Sequence, residues 1–120
     1  MFADPATVTI GGVANDLVRI NQDKYSSEYL LRTSDEELRL NIRNTSYSQK
    51  KRNVIVDRHN VELIHTVFPV APSTTSVERK AYFVIENQRG DDIAESVSDA
   101  LGLVGFLTNA NITKLMNFES

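Results

Sequence analysis

The sequence predicts an α+β fold in which an antiparallel sheet comes first and two helices close the chain. Three observations lead there. Apolar and polar residues alternate along most of the first ninety positions, as in Glu37-Leu38-Arg39-Leu40-Asn41-Ile42, the period-2 signature of half-buried strands. Gly, Pro, Ser and Asp clusters interrupt that alternation at turn-like intervals. After Gly90 the period changes, with Ile93, Val97, Ala100, Leu101 and Val104 recurring at helical spacing. Strands followed by helices give an α+β layout with the helices segregated to one face of the sheet.

Residues 1–21 read as an N-terminal hairpin: Thr7–Ile10 alternates, Gly11-Gly12 tolerates a positive-φ turn, and Leu17–Ile20 returns. Asn21–Lys24 is a polar break. Residues 26–88 read as the antiparallel sheet: a short strand over Ser27–Arg32, a turn at Ser34-Asp35, and long strands over Glu37 to about Tyr47, Val54–Phe68 and Val77–Asn87. Pro69–Ser76 is an uncharged loop rich in proline and small hydroxyl residues. Residues 92–118 read as the C-terminal helices. Asp92 and Glu95 have the spacing of a capping box, and Asn109 and Asn111 mark a break. Ile112, Leu115 and Met116 suggest a short second helix.

All 120 residues fit one domain. With no cysteine, disulfides and thiolate chemistry are excluded. No apolar run is long enough to span a bilayer, so no membrane partner is expected. The N-terminus shows no basic-then-apolar leader, from which folding in a cytoplasm is expected.

Charge is partitioned along the chain. Residues 1–38 hold seven acids and three bases, and residues 86–120 hold six acids and two bases. Between them, Arg39, Arg43, Lys50, Lys51, Arg52 and Arg58 stand against Asp57 alone, inside a chain of net charge −3. Alternation places Arg39, Asn41 and Arg43 opposite Leu38, Leu40 and Ile42, so a basic sheet face is a candidate nucleic-acid surface. A merely solvated face is the bland reading of the same charges.

An enzyme is not expected. His59 and His65 share a strand face but lie about 20 Å apart in extended chain, too far for a shared metal. Asp57 and His59 could pair, yet no serine or cysteine nucleophile motif accompanies them. Gly11-Gly12 lacks the glycine pattern and following helix of a phosphate loop. Asn44-Thr45-Ser46 and Asn111-Ile112-Thr113 match the glycosylation pattern without a secretory context. Asp91-Asp92 suits a helix start better than a cation site. No cofactor is expected; a structural divalent cation is left open, with no residue in the sequence that supports it.

The helices pose a coverage problem. Two helices, one barely two turns long, cannot cover such a sheet, and Gly102 and Gly105 each weaken the first by about 1 kcal/mol relative to alanine. Close approach of another element explains those glycines, and a homodimer supplies it. Gly102, Gly105, Val104 and Leu101 are the expected interface.

Several runs resemble the coat proteins of small single-stranded RNA bacteriophages, most similar to the Caulobacter-phage branch. They are Ile20-Asn21-Gln22-Asp23, Tyr25, Ser27-Glu28-Tyr29, Arg58-His59-Asn60-Val61-Glu62, Thr66-Val67, Ala81-Tyr82, Val84-Ile85, Gly90-Asp91 and Val97-Ser98-Asp99, in order along nearly the whole chain. The resemblance implies an interlocked homodimer whose two sheets join edge to edge and whose helices clasp the neighbouring subunit. It further implies an icosahedral (T=3) virion shell, assembled in the bacterial host cytoplasm, with the sheet facing the genome. Tyr82, Val84 and Glu86 fall where family members carry a tyrosine, an asparagine and a glutamate that meet an RNA hairpin, and Val84 departs from that pattern. The expected RNA surface is Arg39, Asn41, Arg43, Thr45, Arg58, Asn60, Lys80, Tyr82 and Glu86. Pro69, Pro72, Ser73, Thr74 and Thr75 form the expected inter-dimer loop. The contrasting hypothesis is a cellular, dimeric RNA-binding α+β domain that builds no shell.

Overall fold

Gly11 and Gly12 both take positive φ, 58° and 80°, and turn β1 (Ala6–Ile10) into β2 (Val13–Gln22), with Ile10 paired to Val13. Two left-handed residues match the twist of the flanking strands, which is why Gly-Gly works at this position. The computed structural model describes residues 1–120. β3 (Ser26–Arg32), β4 (Glu36–Gln49), β5 (Val54–Val67) and β6 (Val77–Gln88) follow, all antiparallel, in the spatial order β1-β2-β3-β4-β5-β6. The hairpin is therefore the start of one continuous meander. β2 runs through the expected polar break as far as Gln22, and its register with β3 shifts between Arg19 and Asn21. Asp23 then closes the β2–β3 turn, accepting from the Tyr25 and Ser26 amides and the Ser26 hydroxyl. Those donors hold its carboxyl below the usual range.

The small core lies on one face of the sheet. Leu17, Tyr29, Leu38 and Ile42 are buried together, with Ala6, Val8, Leu31, Leu40, Val61 and Leu63 packed around them. Leu38 pairs with His65, Leu40 with Leu63 and Ile42 with Val61, so the alternation read from the sequence is the alternation of the pleat. Arg19 donates to the Tyr29 hydroxyl at 2.9 Å and to the Phe2 carbonyl at 2.6 Å, pinning the N-terminal segment over the buried ring.

α1 (Ile93–Phe106) and α2 (Asn109–Met116) depart from the layout expected of them. They do not lie over the sheet. α1 meets the sheet chiefly along β6, and neither helix has a buried residue. Asp92 caps α1 by accepting from the Ala94 amide at 3.0 Å, whereas Glu95 makes no return bond, so the capping box is half formed. Asn109 and Asn111 lie inside α2 instead of breaking the chain, because the Thr108 hydroxyl accepts from the Asn111 amide and starts the helix earlier. The radius of gyration, 17.3 Å, exceeds the roughly 14 Å of a compact domain of this length. The helices form an arm. Neither is long and apolar enough to cross a membrane.

Candidate nucleic-acid interface

The face opposite the core is built by the other half of each strand. Register places Arg39 across from Ile64, Asn41 from Glu62, Arg43 from Asn60 and Thr45 from Arg58. β6 continues the rows, with Lys80 beside Ile64, Tyr82 beside Glu62, Val84 beside Asn60 and Glu86 beside Arg58. All nine residues expected at an RNA surface therefore share one face of three adjacent strands, although they span nearly fifty positions of sequence. Thr45, whose place the sequence alone leaves open, lies on that face.

The electrostatics differ from the expectation. Arg39 is ion-paired to Glu28 and lies 3.7 Å from Glu37. Arg43 lies 3.7 Å from Glu62, Arg58 lies 3.5 Å from Glu86, and Arg32 pairs with Glu37. Glu78 stands on the same face near Lys80. The surplus counted over residues 39–58 thus vanishes on the sheet, because cross-strand neighbours outside that window bring as many carboxylates as there are cations. Counting along the chain cannot see charges that pairing brings alongside.

Other polar groups complete the surface. The Asn41 amide donates to Glu62 at 3.1 Å. Tyr47 donates to Glu86 at 3.1 Å, and that carboxylate holds its hydroxyl above the usual phenol pKa. Asn60 Oδ1 is buried without a hydrogen-bond partner, and the Tyr82 ring is 67% exposed. The face thus carries an accessible aromatic plane and the unpaired Lys80 ammonium, while the Asn60 acceptor is closed to solvent.

On the opposite face, beyond the core, the strand ends carry a network the sequence reading missed. Asp57 does not pair with His59. It accepts from Arg89 at 2.8 Å and from the Ser46 hydroxyl at 2.7 Å, while Arg89 also donates to Ser46 at 3.1 Å. Arg89 and Ser46 hold the Asp57 carboxyl below the ordinary range, and Asp57 raises the Arg89 pKa in turn. His59 is bonded instead to Asn44 at 2.7 Å and Asn87 at 3.2 Å, and His65 to Glu36 at 2.7 Å. Each histidine sits in a hydrogen-bonded structural setting apart from the other. Nowhere in the chain do three His, Asp or Glu side chains gather as metal ligands would.

The remaining expected residues lie at the periphery. Gly102 and Gly105 have open space where a Cβ would project, and Leu101 and Val104 are 64% and 51% exposed. No element of the same chain makes the close approach the glycines suggest. Pro69, Pro72, Ser73, Thr74 and Thr75 are exposed in the β5–β6 loop, whose Ser73 amide donates to the Val70 carbonyl.

A family model described as the coat protein of phage phiCb5 matches residues 3–88, from the N-terminal segment to the end of β6. No curated protein matches the chain.

Proposed function

The chain belongs to the family of the phage phiCb5 coat protein, and on that footing we propose that it forms interlocked dimers that close into an icosahedral shell around single-stranded RNA. As a coat protein it is a structural component of the virion and not an enzyme. Shell-forming protein is thereby preferred to a cellular RNA-binding domain.

The observation that carries the interlocked dimer is surplus surface. A self-contained monomer of this mass exposes about 6,500 Å². This chain exposes 9110 Å² and buries only six residues. The difference, about 2,600 Å² per chain, reaches the upper end of obligate interfaces when counted over two subunits. It lies where a partner is needed. Ile93, Val97, Leu101, Val104, Ile112 and Leu115 are exposed along the arm, and the outer edge of β6 is unpaired. Joining two β6 edges removes an aggregation-prone strand edge, and crossing the arms covers each partner's apolar face. Leu101, Gly102, Val104 and Gly105 belong to that contact in this reading.

The polar face then looks inward. Tyr82 stacks an unpaired base, while Thr45, Asn41, Asn60, Lys80 and Glu86 hydrogen-bond around it, with Arg39, Arg43 and Arg58 holding the carboxylates in place. Val84 has no polar atom to offer, so a base met there is recognised by shape alone. The test is expression of the full chain alone in a bacterium, followed by electron microscopy and assay of nuclease-protected RNA. Particles tens of nanometres across containing host RNA are expected. Dimers only, under every salt and RNA condition, would remove the shell from this reading.

A further inference from the structure

We propose that the phosphate-neutralising contacts to RNA are concentrated in the β4–β5 turn, at Lys50, Lys51 and Arg52, while the sheet face supplies base contacts. The inference rests on the RNA-packaging reading above and assigns the electrostatic part of binding to residues away from the face.

On the sheet face Lys80 alone stands free of a carboxylate, and the arginines are already neutralised. Arg32, Arg39, Arg43 and Arg58 each have a carboxylate within 3.7 Å. A phosphate approaching any of them meets the partner carboxylate as well, so little net positive charge attracts it. Salt dependence counts net phosphate neutralisation with release of counterions, and such pairs contribute little to it.

The turn is different. Lys50, Lys51 and Arg52 are exposed and consecutive, and none forms an ion pair. The Arg52 guanidinium donates to the neutral Gln49 amide oxygen at 2.6 Å, which orients it without cancelling its charge. Asn53 adopts φ 52°, and its amide donates to the Lys50 carbonyl at 3.3 Å. That tight closure holds three like charges side by side, an arrangement a polyanion stabilises.

Position supports the assignment. The turn follows the Gln49–Val54 pair at the end of the two longest strands. Gln49, to which Arg52 is bonded, shares the polar face with Tyr47. Arg52 therefore lies close enough to the polar-face end for one RNA strand to run from the sheet onto the turn. Bases sit over the sheet and phosphates over the turn, the usual division between specifying and positioning contacts.

The experiment is titration of the full-length, unassembled protein with a fluorescent 20-nucleotide oligouridine between 50 and 200 mM salt. Replacing all three turn cations (K50A/K51A/R52A) should flatten the plot of log affinity against log salt by about two units, since each single-strand phosphate contact contributes about 0.7. In that range the wild-type affinity should therefore fall about 20-fold more than the variant's. R39A/R43A should weaken binding yet keep the wild-type slope. A charge-conserving K50R/K51R/R52K variant should restore the slope, which separates charge from any effect on folding. An unchanged slope in the turn variant, or an equal loss in R39A/R43A, overturns the proposal while leaving RNA packaging intact. A wild-type protein that binds no RNA at any salt would instead overturn the packaging reading beneath it.

Discussion

Asp57 shows how a single side chain can join distant parts of this chain. Its carboxylate takes hydrogen bonds from Ser46 on β4 and from Arg89, just past β6, at the point where the chain leaves the sheet for the arm. The Arg89 amide also donates to the Ile55 carbonyl, so backbone and side chain fix the same exit. Because Arg89 and Ser46 depress the Asp57 pKa below the ordinary aspartate value of 3.8, the sign of the pH dependence follows. The contribution to stability is fully present above pH 3.8 and is lost as pH falls through the lower folded-state value. Asp57→Asn should therefore lower the melting temperature at pH 7, and the gap to wild type should shrink as the pH drops below that point. A gap that stays constant from pH 7 to pH 2, measured by circular dichroism, would show that charge at Asp57 contributes nothing.

At the scale of the element, the arm is where a local rule is broken. Gly102 and Gly105 stand in the second half of an α-helix, where glycine costs about 1 kcal/mol relative to alanine. Nothing in their own chain lies within 4 Å of where a Cβ would be. For an isolated subunit, a larger residue at either site should do no harm and should even favour the helix. For an interlocked dimer the sign reverses, because overpacking costs about 1–3 kcal/mol and the site occurs in both subunits. Gly102→Leu should accordingly yield insoluble or dissociated protein where wild type is a dimer at micromolar concentration by light scattering. A soluble Gly102→Leu dimer would mean that no partner backbone closes on that helix face.

For the whole molecule, the proposed shell asks the β5–β6 loop to act in closure while leaving the fold of the subunit alone. Residues 69–76 carry no charge and are exposed throughout the turn region, and the strands on either side are fully paired from Val67↔Val77 onward. A loop tip anchored this way tolerates shortening without loss of the sheet. Deleting Ser73–Thr75 should leave the dimer intact by light scattering, yet yield open, aberrant or no particles in electron micrographs. Normal shells from the deletion variant would exclude this loop from the junctions between dimers. With no cysteine in the chain, no disulfide can lock such junctions.

Local patterning alone determined the strands, the change of period after Gly90 and the sides on which Arg39, Asn41 and Arg43 stand from Leu38, Leu40 and Ile42. These are consequences of the pleat and of turn chemistry, both written into neighbouring residues. Alternation and charge had offered Arg39, Asn41, Arg43 and Arg58, the resemblance to phage coat proteins pointed to Tyr82 and Glu86, and strand register brings all nine candidates onto one face. Three things were decided only in three dimensions. The ion pairs of Arg39 with Glu28 and of Arg43 with Glu62 depend on strand register, which brings together residues eleven and nineteen positions apart. The Ser46–Asp57–Arg89 network needs the registers of two ladders at once, so the sequence offered only the nearer and mistaken pairing of Asp57 with His59. The arm's departure from the sheet was hidden as well, since an amphipathic helix reads the same whether its apolar stripe meets its own sheet or awaits another chain. Periodicity states that a face must be buried. Only the tertiary structure tells whether the chain itself buries it, and here it does not.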